Sequence, residues 1–461
     1  MTAIAGVVSK TEGSNWYVNE MLAALKHRGT QARTRSIKTK TGEIALGCAV
    51  SVEPAFRFEF SLNGTVALDG TFYYAREPAQ AKLILNGFTR ANKPWTEPGG
   101  YSAICAHHEQ FLAFRDINGL KPLYFAKRKD FVALASERKA LWKIGFRETS
   151  RILPGHLYGF RSMILRRKCV AKFSRPLERR MSIDKAASDL ILHLVKAVRM
   201  ISRGVDRVSV GFSGGLDSAV TAAIAKRIGK EVELVSVGLA GSSELQTVEK
   251  YARQLDLPIT VEAFSPDVLE GAIKRVVWLI EESNFMKVSV AIPLHWAAML
   301  ASRRGHRMML CGQGSDELYG GYSKYARILD SKGRRALSTA LYRSVLDAAI
   351  VNYERDDQAT SPSGVELRTP FADADLIRFS LTIPTEHKVK NGNDLVRKWV
   401  LRAAAKRLSL PEEIVWRRKK AIQHGTGVEN AIRKVARKQG LSIETYLSNV
   451  FTEVARNTSM P

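Results

Sequence analysis

The stretch at residues 207–218, RVSVGFSGGLDS, restricts the chain's architecture more than any other. Val208, Val210 and Phe212 give the apolar beat of a short buried strand. The strand stops at Ser213, Gly214 and Gly215, and Leu216, Asp217 and Ser218 lead into an alanine-rich helix. A strand that turns through adjacent glycines into a helix N-terminus gathers free amides where the helix dipole favours negative charge. Glycine suits such a turn because a Cβ would hold the backbone away from a phosphate and because the turn calls for positive φ. Ser213 and Ser218 can add hydroxyl donors. Asp217 would repel a bare phosphate, so its expected task is to hold a magnesium ion that bridges phosphate oxygens. For SGG alone, a ligand-free turn is the simpler account. Strand, SGGLDS and helix together favour a phosphate site.

No Gly-Lys-Ser/Thr follows the glycines, so this is not a Walker A loop. SGGLDS instead resembles the PP-loop of the ATP pyrophosphatases. That resemblance implies cleavage of ATP to AMP and pyrophosphate with activation of a carboxyl or carbonyl oxygen.

At 461 residues the chain has room for two or three domains with full cores. Lys and Arg total 71 against 45 acidic residues, a net charge of +26. Such a field concentrates ATP, pyrophosphate, acidic metabolites or nucleic acid, unless it only reflects the composition of a whole proteome. Cys48, Cys105, Cys169 and Cys311 form no CxxC pair, which argues against a zinc site or a disulfide framework and fits a reducing cytoplasm. TAIAGVV is too short for a signal h-region and no apolar run reaches membrane-spanning length, so a soluble cytoplasmic protein with no membrane partner is expected.

Residues 3–173 alternate short apolar stretches with Gly, Pro and Asn, and only 19–26 and 80–85 read as helical. LKHRG (25–29), LAFRDINGLKPLYFA (112–126), LASERKAL (134–141) and ILPGHLYGF (152–160) resemble a class II glutamine amidotransferase domain. The resemblance implies an Ntn-hydrolase-like antiparallel β-sandwich with flanking helices over 1–175. The catalytic pattern of that family is not kept. Thr2 stands where its nucleophilic cysteine belongs, RGPD becomes RGTQ at 28–31, and NGEIYN becomes DGTFYY at 69–74. The arginine that would hold a substrate carboxylate has no counterpart around 47–52. A scaffold without glutaminase activity is expected, with a threonine nucleophile as the alternative.

After a basic connector at 161–180 the pattern changes to strands alternating with helices. Helices are expected at 186–200, 218–229, 243–255, 268–282 and 292–304, and strands at 207–212, 231–238, 260–264 and 307–311. This alternation predicts a parallel α/β sheet over 182–440 with a helical C-terminal part, whose ligands lie beyond the carboxyl ends of its strands. The fold class is therefore α/β and α+β in two domains.

Residues 311–325, CGQGSDELYGGYSKY, repeat the strand-to-glycine device with Asp316 and Glu317 behind it. Two carboxylates at a phosphate site suit magnesium ligands, while helix capping is the plainer use. The segment resembles the second signature of the asparagine synthetases, SGEG(S/A)DELFGGY. SVGLAGSSEL (236–245) is similar to their adenosine-side loop, with Val237 beside the adenine. GVELRTPF (364–371), RKWVLRAA (397–404) and LPEEIVWRRKKAIQHGTG (410–427) continue the match.

Membership of the asparagine synthetase-like superfamily implies ATP and Mg²⁺ as cofactors, with Cys311 and Gly312 among the nucleotide-binding residues and Asp217 and Asp316 as metal ligands. Lys419 matches the family lysine that stabilises charge on the acyl-adenylate. Gln313 replaces the usual acidic residue, which leaves deprotonation of the amine to Glu281, Glu282 or Glu366. Arg355, beside Asp356 and Asp357, and Arg368 are placed either to hold an acidic group or to form structural ion pairs.

Arg433, Lys434, Arg437 and Lys438 form a basic helix stripe, an expected contact for a polyanion such as tRNA or simply a solvated face. Residues 441–461 read as a polar tail. The expected function is an AMP-forming amide synthetase that joins a carboxylate, aspartate by default, to ammonia or another amine. The alternatives are a specialised amide, β-lactam or macrolactam synthetase, a tRNA-modifying or nucleic-acid-binding PP-loop protein, and a non-catalytic paralogue. The oligomeric state is left open, with a homodimer among the options.

Overall fold

A computed structural model describes residues 1–40, 42–51, 58–61, 64–73, 81, 84, 98–107, 109–161, 163–242, 244–418 and 421–456. The chain divides into two compact units, Met1–Lys172 with Val450–Pro461, and Phe173–Asn449.

The first unit holds two six-stranded antiparallel sheets. One contains β1 (Thr2–Ser9), β2 (Gln31–Thr39), β3 (Gly42–Val50), β8 (Tyr124–Arg128), β9 (Phe131–Ala135) and β10 (Ser150–Arg151), in the order β10-β8-β9-β1-β3-β2. The other contains β4 (Phe58–Ser61), β5 (Gly64–Phe72), β6 (Gly99–His107), β7 (Gln110–Arg115), β11 (His156–Arg161) and β12 (Ile164–Cys169), in the order β12-β11-β7-β6-β5-β4.

Alternation along β1 explains the layering, because successive side chains leave opposite faces of a strand. Ile4 and Val8 point between the sheets, into a core shared with Ile104, Phe111 and Phe160. Ala3, Ala5 and Val7 point the other way, onto Val18, Met21 and Leu22 of the helix Ser14–Ala24 and Ala140 and Leu141 of the helix Arg138–Lys143. The result is the antiparallel sandwich with flanking helices that the amidotransferase resemblance implies. Of the helix expected at 80–85, only 81 and 84 are among the described residues, and both are helical.

The second unit is built on a five-stranded sheet in which every described pairing is parallel, in the order β15-β14-β13-β16-β17. Its strands are β13 (Arg207–Gly211), β14 (Glu231–Leu239), β15 (Ile259–Phe264), β16 (Met308–Leu310) and β17 (Glu366–Arg368). The first four match the sequence expectation. β17 has only three residues, too few for a periodic signal. The helices Ile183–Ile201, Leu216–Arg227, Leu245–Gln254 and Leu269–Ile280 form where expected.

The helix Phe285–Arg303 begins earlier than expected, where Asn284 caps it by accepting from the Lys287 amide at 3.1 Å. It is long and apolar enough to cross a membrane. Val288, Ile292, Pro293 and Trp296 are nonetheless buried in this unit, so its apolarity serves the core. Residues 441–461 are not simply a polar tail. A helix runs over Ile443–Arg456, because Tyr446, Leu447, Val450 and Val454 recur on one face and are buried.

At the amino end of the sheet, Glu233 of β14 ties several neighbours together, among them Arg207, whose Nη2 donates to it at 3.0 Å. It accepts from Thr260 Oγ1 at 2.7 Å and Arg304 Nε at 2.7 Å, and His306 Nε2 lies 2.9 Å away. Burial works to raise its pKa, but these partners hold it down at about 2. The sign of the resulting pH dependence follows from linkage. A carboxylate depressed on folding contributes stability above its unfolded pKa and loses it as pH falls toward the folded value. Glu233→Gln is therefore expected to cost about 2–3 kcal/mol at neutral pH. That deficit should shrink below pH about 4.5 and vanish near 2, measured as urea-unfolding free energy across pH. An equal deficit at pH 7 and pH 3 would contradict this account.

Candidate active site

The strand order places the site. From β13 the chain adds β14 and β15 on one side, then crosses to place β16 and β17 on the other. The loops after β13 and β16 therefore leave the sheet side by side, at the switch point where open α/β sheets bind ligands. Their approach is close. A Cβ on Gly312 would fall 2.5 Å from the Asp217 Cβ, so only glycine fits there.

In the first loop Gly214 has φ of 65°, the left-handed region that glycine enters without cost. Arg417 lies against this turn and donates from Nη1 to the Gly214 carbonyl at 2.8 Å and the Ser213 carbonyl at 3.4 Å. A Cβ on Gly214 would fall 2.5 Å from that nitrogen. A trans peptide points its C=O and N–H in opposite directions. The Gly214 and Gly215 amides are consequently turned away from the guanidinium, toward the side where an anion can sit. Gly215 precedes the helix Leu216–Arg227, whose first-turn amides add to the same field. Ser218 is buried, and its hydroxyl donates to the Gly215 carbonyl at 3.1 Å, so here it closes the turn rather than facing outward.

In the second loop the Cys311 amide donates to the Arg368 carbonyl at 3.1 Å, and the Thr369 hydroxyl donates to the Gln313 carbonyl. Burial raises the Cys311 thiol to about 12, which keeps it an inert packing group. Asp316 and Glu317 open the short helix Ser315–Tyr319, but they do not act as the pair the sequence suggested. Consecutive helical residues point about 100° apart, so both cannot face one loop. Asp316 faces the site. Glu317 is buried on the other side, accepting from Tyr322 Oη at 2.6 Å and Asn352 Nδ2 at 2.7 Å. Burial, with the Asp316 charge beside it, raises the Glu317 carboxyl above the usual range.

Asp217 and Asp316 converge on one nitrogen. Lys398 Nζ lies 2.7 Å from both carboxylate oxygens of Asp217 and 2.6 Å from Asp316 Oδ1. Ser315 Oγ donates to Asp217 Oδ1 at 2.8 Å and receives Lys398 Nζ at 3.2 Å. The lysine side chain is only 3% exposed. Oxygens gathered around a cationic nitrogen are the donor set that Mg²⁺ takes at about 2.0–2.1 Å, so these residues fit that ion.

The backbone that delivers Lys398 is unusual. Arg397 and Lys398 both have positive φ, 52° and 55°. Asp394 fixes them by accepting from the Val396 and Arg397 amides at 2.9 and 2.8 Å, and from the Lys390 amide and Trp399 Nε1 at 2.9 and 2.8 Å. Burial favours a higher Asp394 pKa, yet these donors bring it below the ordinary value.

Val237 is buried on β14, and the loop beyond it is tied to the C-terminal segment, with the Leu239 amide donating to the Thr426 carbonyl at 3.0 Å. Lys419 lies outside the described residues. In sequence it falls between Arg417, which holds the first loop, and Thr426. The alternative bases are each engaged. Glu281 accepts from Gln358, Glu282 pairs with Lys287 and Glu366 pairs with Arg368. Arg355 pairs with Asp356 inside the unit, so it and Arg368 follow the ion-pair reading. In the helix Val428–Lys438, Arg433 is paired with Glu429, while Lys434, Arg437 and Lys438 are exposed.

Three residues of the site went unremarked in the sequence: Arg417, Lys398 and Gly321. Each lay inside a quoted motif, but nothing in the residue types said which member of RRKK, RKW or YGGY would turn inward. Gly321 is the spacer. A Cβ there would fall 1.8 Å from Asp316 Oδ1 and 2.4 Å from Lys398 Cε. Gly321→Ala is expected to push the two apart and destabilise the unit by about 1–3 kcal/mol, read as a lowered melting temperature. An unchanged melting temperature would show that the cradle yields freely.

Residues 190–332 and 329–452 match the family model described as asparagine synthase. An asparagine synthetase-type protein of Methanocaldococcus jannaschii, with glutamine hydrolysis in its name, is 34% identical over 375 residues, 71% of this chain and 69% of that one. Glutamine-hydrolyzing asparagine synthetases of Arabidopsis thaliana and Asparagus officinalis are 28% and 30% identical over 69% of this chain. The matched region spans little more than half of those plant enzymes, 57% and 55%. With both loops matched inside the family model's span, the chain belongs to the asparagine synthase family.

Proposed function

We propose that the protein is an ATP-dependent, AMP- and pyrophosphate-forming amide synthetase. The observation that carries this reading is the convergence of Asp217 and Asp316, from two loops made adjacent by the strand order, beside a glycine turn whose amides face away from Arg417.

A carboxylate oxygen of the substrate attacks the α-phosphorus of ATP, the α–β phosphoanhydride bond breaks, and pyrophosphate leaves. The product is an acyl-adenylate. An amine nitrogen then attacks its acyl carbon, the C–O bond to AMP breaks, and the amide forms. Ser213, Gly214 and Gly215, with the amides of the first turn of the following helix, hold the phosphates, while the Ser218 hydroxyl braces the turn from within. Asp217 and Asp316 would hold magnesium, which when bound neutralises charge building on the leaving pyrophosphate. Val237 borders the adenosine, and Cys311 and Gly312 shape the wall facing it. Lys419 offers a compact cation to the charge on the adenylate oxygens. Gln313 orients the incoming amine without deprotonating it. Most of the rate enhancement then comes from positioning and charge complementarity.

Family membership supports aspartate as the carboxylate. The first unit supports a nitrogen source other than glutamine. Thr2 occupies the start of β1, and Arg28 is fully buried, donating to the Thr2 carbonyl at 2.9 Å, Glu137 at 3.0 Å and Asp69 at 3.1 Å. Arg28, which keeps the arginine of the amidotransferase pattern, and Asp69, which replaces its asparagine, are thus joined in one buried ion network. His27 and Lys139 complete it around Glu137. That network suits a locked scaffold better than a cavity for glutamine.

Carboxylate-dependent exchange of labelled pyrophosphate into ATP is the direct test. Exchange is expected with aspartate or another small carboxylate, and AMP, not ADP, should accumulate when amine is added. Asp217→Asn should reduce exchange by roughly a hundredfold or more. Release of ADP, or no exchange with any carboxylate, would overturn the assignment. Supplied with glutamine, the protein should release no glutamate, and Thr2→Ala should leave ammonia-dependent turnover unchanged. Glutamate release lost in Thr2→Ala would show instead that the threonine is a working nucleophile.

A further inference from the structure

We propose that Lys398 is a resident counter-ion that occupies the divalent-cation position between Asp217 and Asp316 when no nucleotide is present, so that the metal is accepted only together with the polyphosphate. The inference rests on reading Asp217 and Asp316 as the cation-binding pair.

The geometry leaves little room for a different role in the nucleotide-free protein. Lys398 Nζ makes close contacts to three carboxylate oxygens, at 2.7, 2.7 and 2.6 Å, plus the Ser315 hydroxyl at 3.2 Å. A surface lysine would rarely settle so, because an exposed ion pair gains little over hydration. Lys398 is almost fully enclosed, and its two partners are 17% and 14% exposed. Its left-handed backbone is held by Asp394, and the missing Cβ of Gly321 makes space for its Cε. A left-handed backbone and the gap at Gly321 together put one ammonium at one point.

The consequence is electrostatic. Without Lys398, two carboxylates would face each other in a poorly hydrated gap, each disfavouring the charge of the other. The ammonium relieves that repulsion and keeps both carboxylates pointed inward. A free divalent ion approaching the gap meets a cation already seated there and has to displace the ammonium to bind. The balance changes when the ion arrives on a polyphosphate. The ammonium then has phosphate oxygens to move to, and the carboxylates exchange one cation for a more highly charged one. Lys398 is thus a positioning residue. It sets the order of arrival, nucleotide and metal as one species, and protects the resting site from stray divalent ions.

Manganese serves as the probe, since its free and bound forms are separable by electron paramagnetic resonance without turnover. The wild-type protein is expected to bind free Mn²⁺ weakly and to show no shift in melting temperature with millimolar Mn²⁺. Adding a non-hydrolysable ATP analogue should produce both binding and a clear upward shift. In Lys398→Met the carboxylates lose the ammonium between them. The melting temperature should drop without metal and recover with Mn²⁺ alone, and free Mn²⁺ should bind at least about tenfold more tightly than in wild type, the change produced by some 1.4 kcal/mol. Lys398→Arg, which keeps the charge, should not gain this affinity.

Equal Mn²⁺ affinity in wild type and Lys398→Met would overturn the inference. So would tight binding of free Mn²⁺ to the wild type, a measurement that stands even if the methionine variant does not fold. The two readings can fail separately. If the nucleotide analogue brings in Mn²⁺ but free Mn²⁺ binds wild type equally well, the counter-ion role falls and the synthetase stands. If Lys398→Met gains Mn²⁺ affinity but no variant responds to nucleotide, the reverse holds.

Discussion

The site depends on a short ladder, the parallel pairing of Ser209 with Met309 and Val210 with Leu310 between β13 and β16. Only three residues of β16 take part in the sheet, and the Ser209 hydroxyl reinforces the contact by donating to the Met308 carbonyl at 3.0 Å. That pairing makes loops almost a hundred residues apart in sequence into neighbours. Asp217 from one and Asp316 from the other are too far apart along the chain for any local pattern to join them. A parallel sheet joins them because it requires its strands to run the same way, so both loops must leave at the same edge.

Sequence reading went furthest where a physical rule acts over a few residues. The glycine turn before Leu216 and the alternation along β1 are of that kind, as are the strands β13 to β16. Each follows from backbone sterics or from period-two burial. It went less far where tertiary packing chose among equals. Glu317 has the chemistry of a metal ligand and neighbours Asp316 in sequence, but helical geometry turns it toward Tyr322 and Asn352. Arg417 was one of four adjacent basic residues, and only the fold shows which meets the Gly214 carbonyl. Lys398 was least visible, since nothing in RKW announces two successive left-handed residues. The helix Ile443–Arg456 was missed for another reason: its one-faced apolar pattern was read together with the polar residues that follow it.

The first unit treats charge differently. Arg28, Asp69, Glu137 and Lys139 are all essentially excluded from solvent, and they neutralise one another beneath the first residues of β1. Burying ions is expensive unless every partner is present, so such a cluster tolerates little change once assembled. Burial lowers the pKa of His27, opposing the pull of Glu137, and this further limits the cluster's response to pH. The second unit gathers charge differently, with Asp217, Asp316 and Lys398 meeting at the gap between two loops.

Asp394 shows how far that gap reaches into the rest of the unit. It touches neither loop, yet its two oxygens gather four donors between Lys390 and Trp399 and hold the bend in the main chain there. A conservative swap at this remote aspartate would leave every group around the glycine turn chemically intact while releasing the tether that aims one of them. Drift at a distant joint would therefore move the Lys398 ammonium without altering any residue at the gap.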